Sequence, residues 1–153
     1  MIQAGEQAPD FSGVNEYGET VRLSDYRGQK LVLYFYPKDS TPGCTSEACS
    51  LRDNFTALRK AGYQVLGVSA DSVKSHARFK EKNNLPFTLV SDEDRSIVQK
   101  YGVWGEKKLA GRTYMGINRT TFLIDGNGIV QRVIGPKEIK VKNHSEQILH
   151  EPS

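Results

Sequence analysis

Residues 34–53 read YFYPKDSTPGCTSEACSLRD, and the rest of the chain is organised around them. The apolar run Leu31 to Tyr36 stops at Pro37, passes a polar turn and gives way to a helical pattern beginning near Cys44. Leu51, Phe55 and Leu58 recur at i, i+4 and i+7, one face of an amphipathic helix, and Gly62 supplies a stop. Cys44 therefore falls in the first turn of a helix that leaves a buried strand. The first N–H groups of a helix lack intrahelical partners and the macrodipole is positive there, so both favour a thiolate over a thiol. Pro42 removes a donor that would be unpaired anyway, and Gly43 lets backbone approach whatever the sulfur attacks. Free cysteines are otherwise often small buried hydrophobes. Pro-Gly at the helix start is what favours a reactive Cys44.

Cys49 follows with C-x4-C spacing, not the C-x-x-C of thioredoxin-type dithiols. Five residues of α-helix give about 7.5 Å of rise and roughly 140° of rotation, a Cα separation of about 8.6 Å. A disulfide tolerates about 7 Å. Within one regular helix the two sulfurs cannot bond without local unwinding. The spacing suits a transient disulfide that opens and closes a helix end, not a structural one.

The remaining segments alternate. Residues 1–20 form an irregular lead, with Tyr17-Gly18 turning into a short edge strand at Thr20 to Leu23. Gln64 to Ser69 is a second buried strand; Ser72 caps a helix through about Lys82. Phe87 to Val90 is a third strand, and Ser91 or Asp92 starts a helix through Tyr101. Val103 to Asn118 has three glycines and no clear period, and reads as a long loop. Thr120 to Ile124 is a strand, Asp125 to Gly128 a hairpin turn into Ile129 to Ile134, and Ser145 to His150 a short last helix. Strands alternating with helices at this spacing predict an α/β fold with helices on the faces of a central sheet, as one domain over residues 1–153.

Composition narrows the function classes. A net charge of +3, with Lys107, Lys108 and Arg112 as the densest basic cluster, is too diffuse for a nucleic-acid surface. No apolar stretch is long enough for a membrane span, and MIQAGEQAPDF lacks the basic and apolar regions of a signal peptide. A cytosolic chain is expected, where two cysteines point to catalysis or redox sensing more than to structure. His76, His144 and His150 are scattered and far in sequence from the cysteines, so no zinc or haem site is expected. No phosphate-binding glycine motif follows a strand, so no nucleotide cofactor is expected either.

Pro37-Lys-Asp-Ser-Thr41-Pro-Gly-Cys44 fits a P-x-x-x-T-x-x-C pattern, and with Cys49 five residues on it resembles the peroxiredoxins of the PrxQ, or bacterioferritin-comigratory-protein (BCP), type. The resemblance extends through Ala8-Pro9-Asp10-Phe11, Tyr101 to Lys107, and Gly116 to Asp125 with Arg119 inside it. It implies a thioredoxin-like fold with a central mixed sheet, helices on both faces and an N-terminal extension. It also implies a peroxidase, an antioxidant oxidoreductase that uses no cofactor or metal. Cys44 would be the peroxidatic cysteine and Cys49 the resolving one, joined transiently in an intramolecular disulfide that thioredoxin reduces. Thr41 would hydrogen-bond the peroxide, Arg119 would orient it and hold the thiolate, and Pro37 would shield the sulfur. The backbone N–H groups of Gly43 and Cys44 would face the substrate. A resolving cysteine in the same chain removes the need for a dimer, so a monomer is expected.

Other readings of these residues stand beside that one. Thr41 could serve only as a helix cap, and Arg119 by spacing alone reads as a surface ion-pair partner. Glu47 reads as a first-turn acid favouring the dipole, and Trp104 and Tyr114 as cover for the pocket or as ordinary packing. At the level of function, the same disulfide could serve a non-catalytic redox sensor, and a general disulfide oxidoreductase would share the fold but lack its C-x-x-C.

Overall fold

A computed structural model describes residues 1–150 of the chain. Its main sheet contains β1 (Ser12–Asn15), β2 (Thr20–Arg22), β3 (Lys30–Phe35), β4 (Tyr63–Ser69) and β5 (Thr88–Ser91). A separate hairpin follows, β6 (Trp104–Leu109) and β7 (Arg112–Ile117), before β8 (Thr120–Ile124) and β9 (Val130–Ile134) rejoin the sheet. The helices are α1 (Pro42–Asp53), α2 (Phe55–Lys60), α3 (Val73–Asn83), α4 (Ser96–Lys100) and α5 (His144–Leu149). The strand order is β2-β1-β5-β4-β3-β8-β9. Pairs β3/β4 and β4/β5 are parallel, while β1/β5, β3/β8 and β8/β9 are antiparallel, so the sheet is mixed.

The apolar run of β3 is buried on both faces because successive side chains alternate across the sheet. Leu31, Leu33 and Phe35 pack with α4 residues Ile97 and Val98 and with Ala8 and Phe11 of the N-terminal extension. Val32 and Tyr34 face the other way, into a layer with Ala48 and Leu51 of α1, Leu58 of α2, Phe79 of α3 and Ile148 of α5. Each Val, Leu, Ile or Phe among them removed from water contributes about 1.5–3 kcal/mol. Helices thus cover both faces, and the N-terminal hairpin β1–β2 extends one edge, as the resemblance implied.

Four local expectations differ from the structure. The helix expected to run from Cys44 through Leu58 breaks at Asn54, whose side-chain amide donates to the Ser50 carbonyl at 3.0 Å. Leu51 and Leu58 are buried on both sides of the break, so the apolar period continues through it. Residues 103–118 are not a loop: β6 and β7 pair in register from Trp104↔Ile117 to Leu109↔Arg112. Ala110 and Gly111, both at positive φ (51° and 79°), make the two-residue turn such a hairpin needs. The α4 helix starts at Ser96, not at Ser91 or Asp92, because Arg95 adopts a left-handed φ of 61°. Asp92 still caps it, accepting from Ile97 N at 3.1 Å and Val98 N at 2.9 Å. The last helix begins at His144 and ends at Leu149, one residue earlier at each end. Ser72 caps α3 as expected, accepting from Ser75 N at 3.1 Å. No helix of the described residues is long and apolar enough to cross a membrane.

Candidate active site

The interior strand β3 ends at Phe35, Pro37–Thr41 turn the chain, and α1 carries it back over the sheet with Cys44 at its third position. Thr45 N, bonded to the Thr41 carbonyl at 2.9 Å, is the first donor of the helical ladder. Pro42 has no N–H, so the Gly43 and Cys44 N–H groups are the two donors that the ladder leaves without an acceptor.

Cys44 is 1% exposed, the burial expected of a small hydrophobe. Its surroundings are not those of one: Arg119 Nη2 donates to its Sγ at 3.3 Å. Arg119 immediately precedes β8, and its largely buried guanidinium meets α1 residues Cys44 and Glu47, so it is not a surface ion-pair residue. Its other terminal nitrogen, Nη1, donates to Glu47 Oε1 at 2.6 Å. One planar guanidinium therefore spans the sulfur and a carboxylate one turn further along the same helix. Gly43 makes room for it, since a Cβ there would stand 3.3 Å from Arg119 Nη2.

Glu47 is the sixth residue of α1, past its first turn, so it is not the first-turn acid expected, and it is fully buried. Burial pushes its carboxyl up to about 7, against the pull of the Arg119 guanidinium. Its Oε2 has no hydrogen-bond partner among the described residues and lies 3.6 Å from His144 Nε2. His144 accepts from or donates to Thr121 Oγ1 at 2.7 Å through Nε2, and meets Gln147 Oε1 at 3.0 Å through Nδ1. Gln147 Oε1 only accepts, so Nδ1 carries the hydrogen and Nε2 accepts from Thr121. Burial, with the nearby Arg119 and Arg132 charges, pulls His144 down to about 4. The contact to Glu47 is thus one of a neutral ring with a carboxyl, not an ion pair.

The Thr41 hydroxyl does not cap α1; it donates to the Lys38 carbonyl at 2.8 Å. Pro37 lines a cleft of about 340 Å³ together with Trp104, Lys107, Tyr114, Met115 and Ile117. The β6–β7 hairpin thus forms one wall beside the motif. Lys107 donates to the Ile117 carbonyl at 2.9 Å, and burial beside Arg119 holds its ammonium below the usual lysine range.

Cys49 lies in the same unbroken helix as Cys44, and both are free thiols. Cys49 is half-buried, with Sγ 3.9 Å from Asn83 Oδ1 at the end of α3. Around it α1 is tied down: Ser50 Oγ meets Ser145 Oγ at 3.0 Å and Ser145 N at 3.1 Å, and Arg52 Nη1 donates to the Asn83 carbonyl at 2.8 Å.

Cys44, Arg119, Thr41, Gly43 and Pro37 thus come from sequence reading, while the roles of Glu47 and His144 in this network do not. Glu47 at i+3 from Cys44 shares its helical face, a usable signal; nothing local marks His144.

A model of the AhpC/TSA family matches residues 4–133. The peroxiredoxin Bcp of Escherichia coli K12 is 48% identical over 149 residues, 97% of this chain and 94% of that protein. Among solved structures, PrxQ of Xylella fastidiosa superposes with a TM-score of 0.90 at 35% identity, over 97% of this chain and 94% of that one. The bacterioferritin comigratory protein of Xanthomonas campestris, studied for its alkyl peroxide reduction, gives 0.84 at 39% identity over 91% and 87% of the two chains. The buried cysteine under a guanidinium and these likenesses over nearly the whole chain agree: this chain belongs to the AhpC/TSA family, as a peroxidase of the Bcp/PrxQ type of peroxiredoxin.

Proposed function

We propose that Cys44 is the peroxidatic cysteine and reduces hydrogen peroxide and alkyl hydroperoxides, within one domain over residues 1–153 that acts as a monomer. The observation that carries this reading is the 3.3 Å contact from Arg119 Nη2 to Cys44 Sγ at the start of α1. A fixed cation there stabilises the thiolate and then the negative charge that spreads over sulfur and both oxygens as the bond breaks. The thiolate attacks the terminal oxygen of ROOH. An S–O bond forms, the O–O bond breaks, sulfur loses two electrons, and the departing RO⁻ takes a proton from solvent. Cys44 is left as a sulfenic acid.

Thr41 receives the peroxide. Its hydroxyl hydrogen is committed to the Lys38 carbonyl, so the oxygen lone pairs are free to accept the peroxide O–H. The Gly43 and Cys44 N–H groups donate to the oxygens, and Pro37 keeps bulk water off the sulfur. Glu47 holds the Arg119 plane. Cys49 then attacks the sulfenic sulfur, forming the Cys44–Cys49 disulfide and releasing water, which requires α1 to unwind because both cysteines lie within it. A dithiol protein of the thioredoxin type, in the cytosol, returns both thiols by exchange.

Peroxide-dependent consumption of a thioredoxin-type dithiol, followed in wild type and in Cys44→Ser and Cys49→Ser, tests this. Cys44→Ser is expected to be inactive. Cys49→Ser is expected to keep the first turnover and to lose recycling. Full peroxidase turnover by Cys44→Ser overturns the reading.

A further inference from the structure

Asp39 stands two residues before Thr41, in the turn that joins β3 to α1, and its side chain is buried. Its carboxylate accepts from three side chains: Tyr36 Oη to Oδ1 at 2.6 Å, and Ser75 Oγ at 2.8 Å and His76 Nδ1 at 2.7 Å to Oδ2. The Asp39 N–H donates to Asp71 Oδ2 at 2.8 Å, and Asp71 Oδ2 also accepts from Ser69 Oγ at 2.6 Å. His76 is completely buried, and its Nε2 meets the Val90 carbonyl at 3.0 Å. The His76 ring thus bridges the Asp39 carboxyl and the β5 backbone, with one nitrogen committed to each. Asp39, Asp71 and His76 crowd together as cation ligands would, but these nitrogens and oxygens are already taken by donors and acceptors of the protein.

The turn beyond Asp39 is one that needs holding. Ser40 has φ +62°, a left-handed conformation that a residue with a Cβ keeps only where its neighbours fix it. Thr41 Oγ1 then reaches back to the Lys38 carbonyl, so the Thr41 hydroxyl and its acceptor bracket Asp39 and Ser40. Four hydrogen bonds tie Asp39 to Tyr36 just past β3, to the β4–α3 turn and to the first turn of α3, while Arg119, one residue before β8, bonds the sulfur and Glu47.

We propose that the buried Asp39–His76 pair is the positioning device for peroxide: it clamps the Asp39–Ser40 turn and thereby aims the Thr41 oxygen, while Arg119 independently holds the thiolate. The inference rests on the reading of Thr41 as the peroxide acceptor. It predicts that the two halves of the site separate. Loss of the clamp harms the reaction that requires an oriented O–O bond and spares a reaction that needs only a reactive sulfur.

The test compares single-turnover oxidation of Cys44 by hydrogen peroxide with its alkylation by iodoacetamide, in the full chain. Asp39→Ala is expected to slow oxidation about 10- to 100-fold, the cost of misplacing a reacting group by about 1 Å. Alkylation is expected to stay within about two-fold, as iodoacetamide needs no Thr41 acceptor. Asp39→Asn is expected to recover most of the rate: its amide oxygen still accepts from Tyr36 and its NH₂ can donate to His76 Nδ1. Ser75→Ala, which deletes one of the three bonds and leaves the core intact, is expected to show the same split at about two- to five-fold, less than Asp39→Ala because Tyr36 and His76 still hold the carboxyl group. An unchanged oxidation rate in Asp39→Ala and Ser75→Ala, equal losses in the two reactions, or an Asn variant as slow as Ala overturns the proposal. Thr41→Val separates the two readings. If it oxidises normally, the Thr41 reading fails and the clamp with it; if it is slow while Asp39→Ala is normal, only the clamp fails.

Discussion

Glu47 Oε1 accepts a 2.6 Å hydrogen bond from Arg119 Nη1 from a position that is completely buried, one helical turn past Cys44. A carboxylate there desolvates at a cost that the guanidinium only partly offsets, and its proton affinity rises to about 7 from 4.5. The guanidinium is held in plane by a group that is itself near its titration point at neutral pH.

That shift has a sign in stability. Between about pH 4.5 and 7 folded Glu47 keeps a proton that the unfolded chain has lost, so this residue's contribution to stability declines as pH rises through that window. Glu47→Gln removes the effect. The stability of the variant relative to wild type is expected to rise by about 3 kcal/mol from pH 4.5 to 7, at 1.36 kcal/mol per unit. Urea unfolding across this range measures it; a flat difference contradicts it. His144, held down to about 4 from 6.5, works in the opposite sense, stabilising increasingly as pH rises from 4 to 6.5. The two largely mask each other in wild type, so a variant difference is the quantity to follow.

Arg119→Lys keeps a positive charge and loses the fork. One ammonium cannot donate along both the Glu47 and Cys44 directions with the same fixed geometry. Peroxide oxidation of Cys44 is expected to fall about 100-fold, the usual cost of a misplaced transition-state donor. Stopped-flow kinetics under single-turnover conditions reads this directly.

Gly43→Ala is expected to divide stability from activity. Alanine in a helix is favoured over glycine by up to about 1 kcal/mol, which raises the melting temperature. The new Cβ, 3.3 Å from Arg119 Nη2, shifts the guanidinium by a few tenths of an ångström. A stable variant with several-fold slower peroxide reduction is the expected outcome of paired thermal and kinetic measurements.

Disulfide formation must wait on α1. Ser50→Ala removes the contacts at 3.0 and 3.1 Å that pin the helix to Ser145, weakening its docking by about 1–2 kcal/mol. Once Cys44 is a sulfenic acid, closure onto Cys49 is expected to accelerate by up to about ten-fold, with a loss of helical circular dichroism in step with it.

How far these features can be read without coordinates depends on where the signal sits. The β3-to-α1 passage is explicit: an apolar run, a turn, Pro-Gly, and apolar residues at helical spacing. The α1/α2 break is nearly silent, since Leu51 and Leu58 are buried on either side and only Asn54 marks it. The β6–β7 hairpin escapes notice because most of its side chains, including Leu109, Tyr114 and Met115, meet solvent, so no face imposes alternation. Its turn also places Ala110 where Asn or Gly is the usual marker. Arg119 joins Cys44 only through the pairing of β8 with β3, a long-range contact that spacing does not encode. The family motif supplies it; the i+3 spacing from Cys44 points to Glu47, while His144 and the Asp39–His76 pair come from packing alone.

Mass spectrometry after one equivalent of hydrogen peroxide tests the central claim most directly. The account predicts a Cys44–Cys49 disulfide, two hydrogens lighter, in wild type, and one added oxygen on residue 44 in Cys49→Ser. Oxygen appearing first on Cys49, or Cys44→Ser oxidising as fast as wild type, would contradict it.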